Sequence, residues 1–285
     1  MLNYLHDFKE LEKMKYVVCF SGGHSSALTA IETVKKAGKE NVILLNHNIS
    51  AEVEHKDIKR FKQDIADYLD LSITYANMDG WEIKTPLRIC RELGALVNPN
   101  GMQALCTYNL KTKPFHEWLA ENYPADIEHV REDLKIIYGF DMQEKHRIQR
   151  RAGIMATMGY KTDYPLALWK RTIDRTEDIG IKRPITYRIY KHANCEGCLK
   201  AGKQQWYITY CLRPDIFQEA KETESELGYS ILKKNYLEEL ESEFKEMKYE
   251  KNICPSQKTD PNTFWANVER IMPEQQSLFP CECAI

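Results

Sequence analysis

Long apolar runs are absent from this chain. No stretch of about 18 apolar residues occurs in its 285 residues, and no charged-then-apolar start ends in a small-residue cleavage site. A membrane span and a secretory signal are therefore not expected, and the cytoplasm is the expected location. A strong net charge is also missing. At -2 the chain as a whole has no general attraction to nucleic acid, so such binding would rest on local patches. Nine cysteines, an odd number without a signal peptide, argue against an extracellular disulfide framework and for reduced thiols or metal ligands. Repeats and low-complexity tracts are lacking, and the Pro and Gly residues are dispersed, so no linker can be read. What is present, 43% hydrophobic and 29% charged residues, describes a globular chain able to bury one large domain, or one domain and an appendage. The oligomeric state stays open, a homodimer included.

Strands and helices alternate along the first half. Tyr16–Phe20 reads as a buried strand, Ser26–Ala37 as a helix and Asn41–Asn46 as a second buried strand. Residues 54 to 69 place Ile58, Phe61, Ile65, Ala66 and Leu69 on one helical face, and Leu71–Ala76 is a third strand. Leu134–Phe140 reads as a fourth strand, after a helix over Pro114–Asn122 and before a basic helix over Glu144–Met158. This order predicts an α/β fold with a doubly wound parallel sheet, whose ligands sit at the carboxyl ends of the strands. Leu2–Lys13 and Leu166–Asp178 are expected to be helical, as is Trp206–Leu227 with an interruption at Pro214. Gly80–Gly101 fits a lid, a loop or a short helix, and the last forty residues a charged helix and an irregular tail. The division expected is 1–165 for the α/β domain and 166–285 for a helical, cysteine-bearing remainder.

The first strand runs through Phe20 into Ser21-Gly22-Gly23-His24-Ser25-Ser26 and at once into a helix. Backbone N–H groups at such a helix start lack partners and point at any anion placed there. Two glycines permit positive φ and close approach, and the serine hydroxyls can donate to phosphate oxygens or cap the helix. The Gly-Lys-Ser ending of a Walker loop and the Gly-x-Gly-x-x-Gly of a dinucleotide site are both missing, so this is another kind of phosphate loop, or else an ordinary capped turn. Asn46 and His47 follow the second strand, where adenine or ribose would lie, and His24 would meet His47 in the same crevice; turn preference alone also accounts for them. Lys111 and Lys113 stand just before the Pro114 helix, either as phosphate partners or as a solvated turn. Glu144 and Arg147 share a helix face, as a surface ion pair or as part of a polyanion-facing patch with Lys145, Arg150 and Arg151. The spacing of Cys195 and Cys198 suits one metal, a redox dithiol or two structural cysteines.

Residues 18 to 31 resemble the PP-loop, Ser-Gly-Gly-x-Asp-Ser, of the N-type ATP pyrophosphatase superfamily, with Ser25 where that Asp would be. Cys106-Thr107-x-x-Leu110-Lys111-x-x-Pro114 is similar to the Cys-Thr-x-x-Leu-Lys-x-x-Pro turn of the phosphoadenosine phosphosulfate (PAPS) reductase family. Gly139 followed by an acidic residue and an arginine is similar to that family's strand end. The likeness is greatest to PAPS reductase-like proteins of phages and mobile elements, and it runs from about Lys15 to about Leu227. It implies an adenine nucleotide α-hydrolase-like fold, with ATP and Mg²⁺ as cofactors. Phe20, Ser21, Gly22, Gly23, His24, Ser25, Ser26, Asn46, His47, Thr107, Gly139 and Glu144 would bind the nucleotide.

The implied reaction adenylates a substrate and releases pyrophosphate, with Lys111 and Arg147 offsetting charge. Sulfur transfer to a nucleic acid held by Lys113, Arg150 and Arg151 would follow. Cluster-bearing members of the family imply thiolates at Cys106, Cys195 and Cys198, completed by Cys211 or Cys90, for a [4Fe–4S] cluster or Zn²⁺. Two alternatives stand beside this: a PAPS or adenylylsulfate reductase, although its Glu-Cys-Gly-x-His tail is replaced by Cys281-Glu282-Cys283, and a non-catalytic nucleotide-binding protein.

Overall fold

The computed structural model describes residues 14–98, 103–193 and 195–272; the expected helix at Leu2–Lys13 and the Cys281–Cys283 tail lie outside them. Five parallel strands make one sheet: β1 Lys15–Cys19, β2 Val42–Asn46, β3 Ile73–Tyr75, β4 Arg131–Ile137 and β5 Tyr160–Asp163, in the order β3-β2-β1-β4-β5. Val18 stands opposite Leu44 on one side and Ile137 on the other. The order reverses between β1 and β4, and a crevice opens beyond the strand ends at such a point.

Helices cover both faces, as the unbroken burial of Tyr16, Val17 and Val18 along β1 requires. Tyr16, Val18 and Phe20 pack with Ala27, Ala30 and Ile31 of α1 (His24–Ala37) and Phe61, Ile65 and Leu69 of α2 (Lys56–Leu69). Val17, Leu134 and Ile136 face the other way, onto Phe115 and Leu119 of α4 (Lys113–Asn122) and Met155 of α5 (Lys145–Thr157). Between them, α3 (Pro86–Leu93) is the short helix within the Gly80–Gly101 stretch; Thr85 caps it, Pro86 opens it and Gly94 closes it in the left-handed region.

Two expectations change. Leu166–Asp178 is not a helix: one turn forms at Pro165–Leu168 and a 3-10 turn at Thr176–Ile179. The reason is Glu32 on α1, a buried carboxylate whose Oε1 accepts from the amides of Thr172 (2.7 Å) and Ile173 (3.2 Å) and so takes donors a helix would need. Strand β5 carries no apolar run, only Tyr-Lys-Thr-Asp, and gave no sequence signal as an edge strand.

The chain forms two compact units. The sheet unit continues to Tyr187 and includes His192–Leu199, and thus Cys195 and Cys198. Arg188–Lys191 and the residues from Lys200 form the other. This second unit is helical: α6 Lys203–Leu212, α7 Pro214–Leu227, α8 Leu237–Tyr249 and α9 Pro261–Ile271. Pro214 separates α6 from α7, as its missing N–H predicts. Tyr207 meets the Phe244 ring edge at 5.5 Å and donates its hydroxyl to the Ile253 carbonyl at 2.6 Å. No helix among the described residues is long and apolar enough to cross a membrane.

Candidate functional site

A cleft of about 580 Å³, counted with its mouth to solvent, opens at the carboxyl ends of β1 and β2. Phe20, Ser21, Asn46, His47, Lys111 and Cys195 line it, with Leu45 and Ile49 as apolar wall and Glu54 as its carboxylate. Phe20 extends the β1–β2 pairing one residue, donating its N–H to the Leu45 carbonyl at 2.8 Å. Asn46 is engaged at both ends of its side chain: its amide donates to the Phe20 carbonyl, and its Oδ1 accepts from Lys62 Nζ at 3.2 Å. It thus fixes where the loop leaves the sheet.

The loop has the geometry that its residues demand. Gly22 takes φ +79°, and a Cβ there would lie 2.5 Å from Lys62 Cε, so the lysine stem fills the space under the loop. Gly23 is the extended N-cap of α1 and brings no side chain of its own to cap the helix. Ser26 Oγ donates to the Gly23 carbonyl at 2.8 Å and accepts from Ser21 Oγ at 3.1 Å, while Ser25 is exposed. The His24 N–H donates to the Tyr187 hydroxyl at 2.9 Å. Gly139 lets the end of β4 approach α1: a Cβ there would lie 2.9 Å from Thr29 Oγ1 and 3.1 Å from the Ser25 carbonyl.

The two histidines do not share the crevice. His47 lines it, donating Nδ1–H to the Ala76 carbonyl at 2.5 Å, which leaves Nε2 as an acceptor. Burial lowers its pKa to about 4, with Lys111 and Lys62 adding to the effect against the Ala76 bond. His24 instead sits beside Arg183, Glu177 and Arg171; burial and then Arg183 hold its pKa down.

Lys111 lies in the turn that leads into α4, where the chain passes from Leu105–Thr107 through a π-helical stretch, Tyr108–Thr112. Lys113 points to Glu117 at 3.7 Å and is not among the lining residues. Cys106 is buried beside Thr107 and Cys90, and the Cys90 thiol faces the Leu96 carbonyl at 4.0 Å. Burial, then Cys195 and Cys198, push Cys106 up to about 11, so these thiols are neighbours. Gly197, at φ +72°, turns the chain between Cys195 and Cys198, and the Glu196 N–H donates to the Val53 carbonyl at 2.8 Å. Cys211 belongs to the helical unit, beside Tyr207 and Cys254. Among the described residues no three His, Cys, Asp or Glu side chains converge to hold a metal ion.

At the other side of the switch point, Tyr138, Phe140 and Tyr164 stack with centroids 5.6 to 6.1 Å apart. Arg147 lies 4.3 Å over Phe140, and Arg151 lies 5.4 Å from the Tyr138 ring. Glu144 pairs with Arg147 and accepts from the Asp141 amide at 3.2 Å, closing the turn into α5. Lys145, Arg147 and Arg150 are exposed on this helix.

Sequence reasoning missed Glu54, which lines the cleft, and Lys62 and Tyr187, which meet the loop. Lys62 is 2% exposed and pairs with Glu54 at 2.8 Å. Its legible signal is its place on the apolar face of α2, one turn after Ile58. Glu54 and Tyr187 carry no such signal, the latter reaching the loop from 163 residues away. No family model matches the chain, and no curated protein matches it in sequence.

Proposed function

We propose that the chain is an adenine-nucleotide-dependent enzyme that adenylates a substrate oxygen and releases pyrophosphate. The observation that carries this reading is the glycine-opened start of α1, whose N-cap Gly23 offers no capping side chain, beside a cleft whose other walls supply Lys111, His47 and an apolar slot. The resemblance to the PP-loop and PAPS reductase-like proteins points the same way, toward an adenine nucleotide α-hydrolase-like sheet.

In this reading the adenine and ribose occupy the cleft over Leu45 and Ile49, with neutral His47 offering Nε2 to a donor. Phosphates lie against the amides of Gly23 to Ser26, where the helix start favours anions. The substrate oxygen attacks the α-phosphorus, the bond to the bridging oxygen breaks, and pyrophosphate takes up the negative charge. Lys111 offsets that charge as it develops. Magnesium, when present, withdraws charge from the phosphate oxygens. Its ligands would come from the nucleotide itself, since Glu54, the one carboxylate lining the cleft among the described residues, lies against two lysines, Lys62 and Lys59. The exposed cations of α5 supply a face for a polynucleotide acceptor.

A second reading is favoured by Cys195, a thiol on the cleft wall beside Lys111: sulfur chemistry on a sulfonucleotide, as in PAPS reductases. The two readings separate in one assay set. Incubation with ATP, magnesium and single-stranded nucleic acids or small acceptors is expected to release pyrophosphate. Sulfite from PAPS and a thiol, with no pyrophosphate from ATP, would replace the first reading by the second.

A further inference from the structure

The cleft contains a polar atom that the fold leaves unsatisfied. Glu54 is 7% exposed and lines the cleft. Its Oε1 accepts from Lys62 Nζ at 2.8 Å, but its Oε2 has no hydrogen-bond partner; the nearest other cation there, Lys59 Nζ, stands at 3.8 Å. A buried carboxylate oxygen without a donor is costly, and native folds retain such an atom chiefly where something binds it.

The surroundings say what kind of group that is. Lys62 and Lys59 both face Glu54, which disfavours a cation as the occupant. An anion is disfavoured by the carboxylate itself. What remains is a neutral hydrogen-bond donor, a hydroxyl or an amine. The position is also held rigidly. Glu54 donates its amide to the Ser50 carbonyl at 3.0 Å, Val53 accepts from Glu196, and Lys62 is clamped between Glu54 and Asn46 under Gly22. The same lysine thus ties the carboxylate to the phosphate loop, setting the distance between the two.

We propose that Glu54 is the specificity-determining residue of the cleft, its Oε2 accepting a hydrogen bond from a neutral donor of the bound nucleotide, either a ribose hydroxyl or the exocyclic amine of adenine. This rests on the nucleotide reading above. A site built to receive a donor rejects the analogue that lacks it, because the buried acceptor is then left bare.

The test measures affinities of the full chain for ATP, 2′-deoxyATP, 3′-deoxyATP and purine riboside triphosphate, which lacks the amine, by calorimetry. The wild-type protein is expected to bind one analogue about tenfold to a hundredfold more weakly than ATP, and which one it is identifies the donor. In Glu54→Gln, whose carbonyl can keep Lys62 while its amide replaces the free acceptor, that discrimination is expected to collapse to about twofold. If wild type binds ATP but treats all four alike, or if Glu54→Gln folds and discriminates as wild type does, this inference falls and the nucleotide reading stands. If wild type binds none of them, both fall. Should Glu54→Gln not fold, the wild-type series alone decides.

Discussion

The Tyr187 hydroxyl accepts the His24 N–H at 2.9 Å at the start of α1, the place that the proposed function gives to a phosphate oxygen. A nucleotide phosphate that uses this amide must displace it. Tyr187→Phe removes the competitor and is expected to raise affinity for pyrophosphate or ATP by up to about fivefold, while costing roughly 1 kcal/mol of stability from the lost hydrogen bond. Calorimetric titration beside urea unfolding checks both. A tenfold loss of affinity would instead make the hydroxyl a ligand contact.

Gly22 cannot be replaced cheaply. Its φ of +79° and the 2.5 Å gap to Lys62 Cε mean that Gly22→Ala meets backbone strain and a clash with a lysine stem that has no free space to move into. A loss of about 2 kcal/mol or more in urea unfolding is expected. Gly153 is the control: nothing lies within 4 Å of its added Cβ, and as an α5 glycine it should gain from Ala by up to about 1 kcal/mol. Equal effects at the two positions would contradict the packing described.

Acid should destabilise the sheet unit through His47. Its folded pKa is lowered to about 4, so between roughly pH 6.5 and pH 4 the unfolded chain binds a proton that the folded one refuses, and stability falls as pH falls. The loss attributable to this ring is on the order of 3 kcal/mol, complete only below about pH 4. His24 and His116, whose pKa values are also lowered by burial, add to the same slope. Urea midpoints across this range should flatten in His47→Gln; an unchanged pH slope would show that the ring titrates normally in the fold.

The exposed cations of α5 should act on polyanions and little on folding. Replacing Lys145, Arg147 and Arg150 together by alanine is expected to lower the salt slope of single-stranded nucleic-acid binding by about 0.7 for each phosphate that no longer meets a cation. Stability should change by less than about 1 kcal/mol, because the Glu144–Arg147 pair is largely exposed, with Arg147 64% accessible. Fluorescence anisotropy at several salt concentrations reads the slope; no change would remove α5 from the interface.

Much of this site could be read from residues close together in sequence. The strand ending at Cys19, the glycine loop and the helix behind it are one contiguous signal, and the near-continuous burial of β1, β2 and the end of β4 follows from their apolar runs. What escaped reading depends on partners far apart. Tyr187 reaches the loop only because the chain returns past α1, and the non-helical course of 169–175 is dictated by Glu32, 140 residues earlier. His24 shows the same limit: adjacency to the loop placed it near His47, but the first turn of α1 carries its ring toward Arg183. Lys62 was hidden for a different reason, since a lysine on an apolar helix face reads as an interruption until its carboxylate partner is known.

Hydrogen exchange with and without ATP and magnesium tests the central claim most directly, since it reports where the ligand binds without requiring turnover. Slowed exchange is expected at the amides of Gly22 to Ala27 and around Asn46 to Ile49, and Lys111→Ala should weaken the protection at least tenfold in ATP concentration while leaving the fold intact. Protection confined to other segments, or none at saturating ATP, would contradict a nucleotide site at the start of α1.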